Sequence, residues 1–363
     1  MMNDRLVKDF DWLLLGIAII IAIVGVFEIY SATSNTGWQG AYVKQLLWLT
    51  FALVFFWFFS LGDYNAVVNT SPILYMGSLA LLVAILTFGI VLGGGRRWLG
   101  LPGGVTIQIS ELTKVVLILL VAKHFKDTLP GELKWKDLLT LGAMIGIPTL
   151  LVARQPDLST ALSFLVILVI GLFVAGLRWK YIAVFGLIVA FLIPIAWHQL
   201  EPYQQERLIT FIDPEKDPRG SGYQQIQSRI AVGAGGIWGA GFSKGSQTQL
   251  MFIPVPHTDF IFSAYAEETG FIGVTSMLAL YFGLLMKIVG VSLQASDNTG
   301  RHICMGTAAL ILFHVIVNVG MVIGYMPVTG LPLPLMSYGG SNLVTVFILL
   351  GLVNSVHMRR FTN

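Results

Sequence analysis

The stretch WLLLGIAIIIAIVGVFEIY at residues 12–30 decides the class of fold, because Glu28 is its only charged residue. A bilayer core about 30 Å thick is crossed by about 20 residues of apolar helix. This run meets that length and is too long for the apolar region of a cleaved signal peptide. With Arg5 and Lys8 before it, we predict that it is a retained membrane anchor.

Comparable apolar stretches recur along the whole chain, and none shows the two-residue alternation of a barrel strand. We therefore predict an all-α polytopic membrane protein with about ten transmembrane helices, forming one integral membrane domain over residues 1–363. The predicted spans are 11–31, 42–61, 71–93, 108–125, 137–153, 158–177, 179–200, 259–290, 303–325 and 337–357. The fourth and fifth carry charges at their ends.

The composition excludes several other classes of protein. Apolar residues make up 55% of the chain and charged residues 11%, whereas soluble domains carry roughly 25% charged residues. A soluble enzyme, a nucleic-acid binder and a disordered protein are therefore excluded. The net charge of +3 indicates no polyanionic partner, and the single Cys304 excludes a disulfide framework or a cysteine-rich metal site.

The connection between the seventh and eighth predicted spans, residues 201–258, is long and polar. Connections of this length are usually functional or disordered. Its glycine-rich run at 233–241 does not fit a nucleotide-binding loop, because Lys244-Gly245 fails the Walker pattern and no strand precedes it. Close backbone packing or a re-entrant turn is the preferred interpretation.

The distribution of basic residues predicts the orientation. With a cytoplasmic N-terminus, ten spans return the C-terminus to the same side and leave the loop 201–258 outside. The cytoplasmic ends then hold Arg5, Lys8, Lys123, Lys126, Lys134, Lys136, Arg178, Lys180, Lys287, Arg301, Arg359 and Arg360. The outer loop holds Arg207, Lys216, Arg219, Arg229 and Lys244, and the short outer connections hold Lys44, Arg96, Arg97, Lys114 and Arg154. These last five are either tolerated exceptions or a cationic face for an anionic ligand such as a lipid-linked pyrophosphate.

Two acidic positions lie at the ends of predicted spans. Asp259 opens the eighth span, where a carboxylate suits either general-base chemistry or a helix cap, and His257 is expected to be its polar neighbour. Glu111 and Lys114 share one helix face, either as a simple ion pair or as a polar patch lining a cavity.

Other acidic residues keep further interpretations open. Asp157 is expected to pair with Arg154 at a helix end. The intramembrane carboxylates Glu28, Glu267 and Glu268 are compatible with the proton path of a transporter.

Residues 327–341, PVTGLPLPLMSYGGS, cannot continue a helix, because they contain three prolines and three glycines. The segment is nevertheless apolar, which predicts a non-helical turn packed in the bundle near the outer surface. Ser337, Tyr338 and Ser341 are its polar groups. They serve either to scaffold the loop or to contact a ligand.

Five short segments, taken in order, resemble motifs of the SEDS family (shape, elongation, division and sporulation). They are RWL at 97–99, QISELTK at 108–114, QPDLSTA at 155–161, HTDFIF with AEE at 257–268, and LPLPLMSYGGS at 331–341. The resemblance covers nearly the whole chain, although Ile109 replaces a usual Pro and Ser159 a usual Gly. The short N-terminus, residues 213–218 and residues 326–330 resemble the elongation-type members more than the division-type members.

The resemblance implies a GT-C-like fold and a peptidoglycan glycosyltransferase that polymerises lipid II into β-1,4-linked glycan during cell-wall elongation. It places the family's catalytic aspartate at Asp259, which would deprotonate the acceptor GlcNAc 4-hydroxyl. The inverting attack on lipid-linked MurNAc would then release undecaprenyl pyrophosphate. The expected location is the bacterial plasma membrane, with both termini cytoplasmic and the active site on the outer face.

Several residues are candidates for binding the substrate within this scheme. Basic groups would stabilise the leaving pyrophosphate, and the candidates are Arg96, Arg97, Lys44, Lys114 and Arg207. Trp98 would pack a sugar or isoprenoid face or serve as an interfacial anchor. Glu111 would hold Lys114, with Asp157, Ser337 and His257 as further residues around the cavity.

The sequence shows no dedicated metal cage, and whether a divalent cation assists is left open. The expected partners are lipid II and nascent glycan, a class B penicillin-binding protein, the elongation machinery and membrane lipid, with no nucleic acid. The alternatives are a lipid II flippase or transporter, a division-type polymerase, and a non-catalytic scaffold.

Overall fold

Apolar helices form most of the protein. The computed structural model describes residues 9–92, 95–101, 105–127, 133–177, 202–214 and 220–361, with a few isolated positions between 181 and 198. The N-terminal helices are α1 (Trp12–Thr33), α2 (Ala41–Leu61), α3 (Tyr64–Phe88), α4 (Ile109–His124), α5 (Trp135–Ala153) and α6 (Leu158–Val174). The C-terminal ones are α7 (Pro202–Ile212), α8 (Ser221–Ala234), α9 (Ser246–Gln249), α10 (Ile261–Gln294), α11 (Asn298–Val322) and α12 (Gly340–Met358).

Aspartate side chains set the starts of several of these helices. Asp11 accepts a hydrogen bond from the Leu14 amide, Asp63 from the Asn65 amide and Asp297 from the Gly300 amide. An oxygen at this position satisfies an amide that has no partner inside the helix. The position of each capping aspartate in the sequence therefore determines where its helix begins.

Nine of the ten predicted spans coincide with described helices. Among the described residues, seven helices are long and apolar enough to cross a membrane, namely α1, α2, α3, α5, α10, α11 and α12. Helices α4 and α6 are shorter, with 16 and 17 residues. The predicted span 179–200 falls almost wholly outside the described residues, as do Arg5, Lys8, Arg178, Lys180, Lys216 and Arg219. The count of ten therefore stays a prediction.

A small antiparallel sheet follows α3, which the sequence analysis missed. Its strands are β1 (Ile90–Leu92), β2 (Gly95–Leu101) and β3 (Val105–Gln108), in that spatial order. The predicted third span continued to residue 93, but α3 ends at Phe88, where Gly89 adopts an extended conformation. Trp98 pairs with Gln108, so the sheet brings the Arg97 region next to the start of α4.

Helix α12 forms the centre of the bundle. Of its 18-residue apolar window, 94% is buried, although its sequence would allow a lipid-facing span. It packs closely on α2, and a Cβ at Gly351 would lie 2.7 Å from the carbonyl oxygen of Phe56. This approach between helix backbones requires a glycine.

The described parts of the polar connection 201–258 contain the helices α7, α8 and α9, of which α8 and α9 pack on α10. Helix α10 does not run unbroken from residue 259 as predicted. It starts at Ile261 and has a non-helical Gly270 with a φ of 66°. A Cβ at Gly270 would lie 2.3 Å from the amide nitrogen of Gly239, so the two backbones touch. The preferred interpretation of the glycine-rich run, close backbone packing, is therefore confirmed.

The two ends of the bundle differ in their chemistry. At one end the first and last described residues lie close together, where Lys287 contacts Asp11 at 3.0 Å and Arg360 contacts Asp9 at 3.9 Å. At the opposite end, Ser34 and Asn35 at the end of α1 contact Gln249 of the long connection. Asp259 lies at this second end, in the turn that precedes α10.

Candidate functional site

The turn before α10 carries Asp259, and side chains and backbone from two other regions fix it. Asn318 of α11 donates to the backbone oxygen of Asp259 at 2.9 Å. The Ser337 hydroxyl donates to the backbone oxygen of Thr258 at 2.7 Å, and the Tyr338 amide to that of His257 at 2.9 Å. The predicted contact residue Ser337 therefore binds the backbone beside Asp259.

Charged side chains act electrostatically on the Asp259 carboxylate. Burial raises the pKa of Asp259 to about 6. The positive charges of Arg207 and Arg97 lower this pKa, and the negative charge of Asp157 raises it. Of the eleven predicted site residues, the structure thus groups Asp259, Arg207, Arg97 and Asp157 by their electrostatic interaction. A carboxylate with this pKa is ionised at neutral pH and is a stronger base than an ordinary aspartate.

Arg97 and Asp157 reach this group because the small sheet and α6 position them. Arg97 of β2 donates from Nε to the backbone oxygen of Gln155 at 3.1 Å and from its terminal nitrogen to that of Pro156. Asp157 caps α6 by accepting from the Thr160 amide at 3.2 Å. The expected Asp157–Arg154 ion pair is not among the contacts of the described residues, and the cap takes its place.

Arg207 approaches from the long connection. Its guanidinium donates to the backbone oxygen of Val328 at 3.1 Å, which ties α7 to the non-helical segment 327–339. Gly330 in that segment has a φ of +72°, and a Cβ there would lie 3.4 Å from Oδ2 of Asp259. A glycine therefore lets the backbone pass directly beside the carboxylate.

The segment 327–339 has carbonyl groups that its prolines leave without backbone partners. Leu331 accepts from Asn318 at 2.8 Å, Pro332 interacts with Nδ1 of His314 at 3.2 Å, and Pro334 accepts from the Tyr281 hydroxyl. Each donor comes from a buried position in a membrane-length helix. The segment is thus rigidly held although it is not helical, as predicted.

Lys114, which the sequence analysis groups with the basic residues in or beside the short outer connections, lies in the interior of the bundle. Its side chain has 0% exposure, and its Nζ lies 2.6 Å from Oε1 of Glu111 and 3.1 Å from Nε2 of His314. Asn342 donates to the other oxygen of Glu111 at 2.8 Å. The predicted ion pair is present and lines a small interior cavity, but no described contact joins Lys114 to the Asp259 group.

Three further predicted residues are not among the groups that act electrostatically on the Asp259 carboxylate. Arg96 is exposed and donates to the backbone oxygen of Thr87 at 3.0 Å, so it faces the end of α3. Lys44 is exposed in the first turn of α2. Trp98 is half-buried on β2. Within the described chain, no hydrogen bond links Arg96 or Lys44 to Asp259.

His257 belongs to an aromatic cluster beside the site. Its ring lies 5.3 Å from that of Trp38 and 5.6 Å from that of Tyr338, measured between centroids. Burial lowers the pKa of His257 to about 4, so the imidazole is neutral at physiological pH. This matches the expected role of a polar neighbour, since a neutral ring adds no charge near Asp259.

The three intramembrane glutamates have different surroundings. Both oxygens of Glu267 accept hydrogen bonds from α9, including the Gln247 amide at 2.8 Å and the Thr248 amide at 3.1 Å. Glu268 accepts from the Ser31 hydroxyl, and Oε1 of the buried Glu28 has no partner. Glu267 therefore anchors the long connection. Over the described residues, no group of three or more His, Cys, Asp or Glu could hold a metal ion.

Sequence reasoning missed Gln108, His314 and Asn318. Gln108 donates to Oδ2 of Asp157 at 2.9 Å, and His314 and Asn318 lie one turn apart on α11. Polar side chains inside an apolar span are functional candidates by default, so this signal was available for His314 and Asn318.

Comparison with known proteins shows which family the chain belongs to. The sequence model of the family described as cell cycle protein, which covers FtsW, RodA and SpoVE, matches residues 11–361. The chain belongs to this family of multi-pass membrane proteins, and within it the resemblance is to the RodA type.

The relatives and solved structures extend over most of the chain. The peptidoglycan glycosyltransferase MrdB of Escherichia coli K12 is 43% identical over 292 residues, which is 80% of this chain and 78% of MrdB. The peptidoglycan glycosyltransferase RodA of Treponema pallidum is 31% identical and covers 99% of this chain and 100% of its own. A solved chain from a peptidoglycan synthase complex that coordinates polymerization and crosslinking has a TM-score of 0.84 at 32% identity, covering 98% of this chain and 99% of its own. RodA of Thermus thermophilus has a TM-score of 0.73 at 29% identity, covering 98% of both chains.

Proposed function

We propose that this chain is a peptidoglycan glycosyltransferase that polymerises lipid II into β-1,4-linked glycan during cell-wall elongation. The observation that carries the proposal is the Asp259 carboxylate, which lies just before α10 in the electrostatic field of Arg207 and Arg97. The names of the MrdB and RodA relatives support the reaction class. The 43% identity to MrdB and the likeness to the solved structure of RodA favour elongation over division.

In this mechanism Asp259 is the general base. Its carboxylate takes the proton of the acceptor GlcNAc 4-hydroxyl as that oxygen attacks the anomeric carbon of lipid-linked MurNAc. The new bond joins the acceptor oxygen to this carbon, and the bond from the carbon to the pyrophosphate oxygen breaks. The electron pair leaves with undecaprenyl pyrophosphate, and the configuration at the anomeric carbon inverts.

Arg207 and Arg97 are the cations that we assign to the leaving group. Negative charge develops on the pyrophosphate in the transition state, and preorganised guanidinium groups stabilise such charge strongly. Both guanidiniums are already fixed by backbone carbonyls, at Val328 and at Gln155. Little reorganisation is then needed during the reaction. Lys44 and Arg96, exposed at the same end, are assigned to longer-range attraction of the anionic lipid.

The proposed location and partners follow from the same scheme. Residues 1–363 form one domain in the bacterial plasma membrane, with cytoplasmic termini and Asp259 and the loop 201–258 outside. The contacts between Asp9 and Arg360 support placing both termini on one side. The partner is a class B penicillin-binding protein, supported by the likeness to a chain from a synthase complex that couples polymerization to crosslinking.

A lipid II transporter is the second candidate, favoured by the buried Glu28 with its unpartnered oxygen. One experiment separates the two functions. The purified protein and its penicillin-binding partner are reconstituted in vesicles with lipid II, and both glycan polymer and transbilayer movement of lipid II are measured. We expect polymer without accelerated movement. Movement without polymer would refute the proposed reaction.

The matched variants in this experiment are two isosteric changes of a carboxylate to an amide. Asp259→Asn is expected to abolish polymer formation, whereas Glu28→Gln is expected to leave it intact. Loss of polymer in both variants, at equal amounts of folded protein, would instead favour a shared proton path between the two carboxylates.

A further inference from the structure

Asn318 makes two contacts that meet at the candidate site. It lies inside α11 with 0% exposure, and its Nδ2 donates to the backbone oxygens of Asp259 at 2.9 Å and Leu331 at 2.8 Å. One amide nitrogen with two hydrogens can serve both acceptors at once. Asn318 therefore joins the turn that carries the carboxylate to the segment that runs beside it.

Other side chains hold the same segment without reaching Asp259. His314 contacts the backbone oxygen of Pro332, and the Tyr281 hydroxyl donates to that of Pro334. All three donors satisfy carbonyls in a stretch where prolines prevent regular backbone pairing. Among the three donors, the contact to the Asp259 backbone belongs to Asn318.

The remaining atom of the Asn318 side chain also bears on its role. Its Oδ1 is buried and has no hydrogen-bond partner. A buried acceptor without a partner is unfavourable, and a leucine of similar size would avoid that cost. Packing alone therefore does not account for an amide at this position, whereas a bridge between two backbone oxygens does.

We propose that Asn318 is a positioning residue for the reaction, which fixes the Asp259 carboxylate against Gly330 by bridging the backbone oxygens of Asp259 and Leu331. This inference rests on the proposed role of Asp259 as the base. Gly330 directly precedes Leu331, and a Cβ at Gly330 would come within 3.4 Å of the carboxylate. The bridge thus sets the separation between the base and its neighbouring backbone.

The expected kinetic effect is on turnover. A misplacement of a catalytic group by about 1 Å can cost on the order of 100-fold in rate. Asn318 is buried and does not touch the substrate in this arrangement, so substrate affinity should stay nearly constant. Losing the bridge would therefore lower kcat and leave KM within about twofold.

The test uses the full chain with its transpeptidase partner and lipid II, and compares three variants with the native protein. Asn318→Leu removes both hydrogen bonds, and Tyr281→Phe removes one bond to the same segment and serves as the control. We expect kcat to fall about 100-fold in Asn318→Leu. In Tyr281→Phe, kcat should fall by about tenfold or less, and the two variants should have similar unfolding temperatures. Asn318→Gln, which keeps the amide on a longer arm, should recover part of the loss.

The opposite results are equally clear. Equal losses in Asn318→Leu and Tyr281→Phe, or a change confined to KM, would overturn the positioning role. If Asn318→Leu does not fold, Asn318→Ala, which also removes both hydrogen bonds, decides, because native kcat in that folded variant would contradict the proposal. A native protein that makes no polymer, or an Asp259→Asn variant that makes it, would overturn the proposed function and this inference together.

Discussion

The charges around Asp259 predict the direction in which its pKa moves when each neighbour is neutralised. With a pKa of about 6, the base is protonated as the pH falls, so activity is lost on the acid side. About 90% of the base is ionised at pH 7 and about 9% at pH 5, which gives a roughly tenfold fall in rate over this interval.

Two substitutions should move this acid limb in opposite directions. Arg207 lowers the pKa of Asp259, so Arg207→Gln should raise it above 6 and shift the limb to higher pH. Asp157 raises the pKa, so Asp157→Asn should shift the limb to lower pH. Asparagine is also a good helix cap, so α6 should stay intact in the second variant.

The expected size follows from the usual effect of a nearby charge. An opposite charge within a few ångströms lowers a carboxyl pKa by about one unit or more. At pH 6, where about half of the native base is ionised, Arg207→Gln should then retain about a tenth of its own maximal rate. Normalising each profile to its own maximum separates this shift from the loss of leaving-group stabilisation.

The assay is the rate of glycan polymer formation from lipid II between pH 4.5 and 8.5 at lipid II concentrations well below KM, where the profile reports the pKa of the free enzyme. Arg97→Gln provides a second arginine, with the same expected direction as Arg207→Gln. Identical limbs in all variants, or a common direction for Arg207→Gln and Asp157→Asn, would refute the assignment of the acid limb to Asp259.

Three further predictions concern stability, each measured by thermal unfolding in detergent. Lys114→Met should destabilise the protein by about 3–5 kcal/mol, because it leaves the Glu111 carboxylate buried without its cation. Adding Glu111→Gln should recover part of that loss. A double variant whose loss of stability equals the sum of the two single losses would contradict the pairing. Gly239→Ala should be severely destabilising, because the φ of Gly239 is +80° and the added Cβ would lie 2.1 Å from a carbonyl oxygen of α10. The control is Gly233→Ala in α8, which has open space around it and should be neutral or stabilising. Glu267→Gln should cost about 2–3 kcal/mol and speed amide hydrogen exchange in α9, because the two backbone donors use different carboxylate oxygens and glutamine replaces one of these with an NH2 group. Unchanged exchange would contradict the anchoring role.

The length of the apolar stretches predicted the helices well, because a long apolar run has few structural alternatives to a membrane-spanning helix. Nine stretches appear as helices, and Arg97, Asp157 and Arg207, which are far apart in sequence, all act electrostatically on the Asp259 carboxylate. The small sheet at 90–108 was not predictable by the same means, since its strands of 3–7 residues are too short for a periodic pattern.

Side-chain direction was the other limit of sequence reasoning. Lys114 stands in a basic-rich outer region of the sequence, yet the helix turns it inward to Glu111 and His314. Charge counting by membrane side cannot detect this, because the facing residue lies 200 positions away on α11. A polar residue inside an apolar span marks Asn318 as a candidate, but its two acceptors are backbone oxygens, so no side-chain pattern indicates which groups it joins.

The most direct test of the central claim is the rate of glycan formation by Asp259→Asn at pH 8, where the native base is fully ionised. Asp63→Asn, an equally isosteric change at an exposed helix cap of the opposite end, is the control. A general base contributes about 10²- to 10⁴-fold, so Asp259→Asn should lose at least about 100-fold while Asp63→Asn keeps native activity. A folded Asp259→Asn protein that polymerises lipid II within about threefold of the native rate would contradict the assignment of Asp259 as the base.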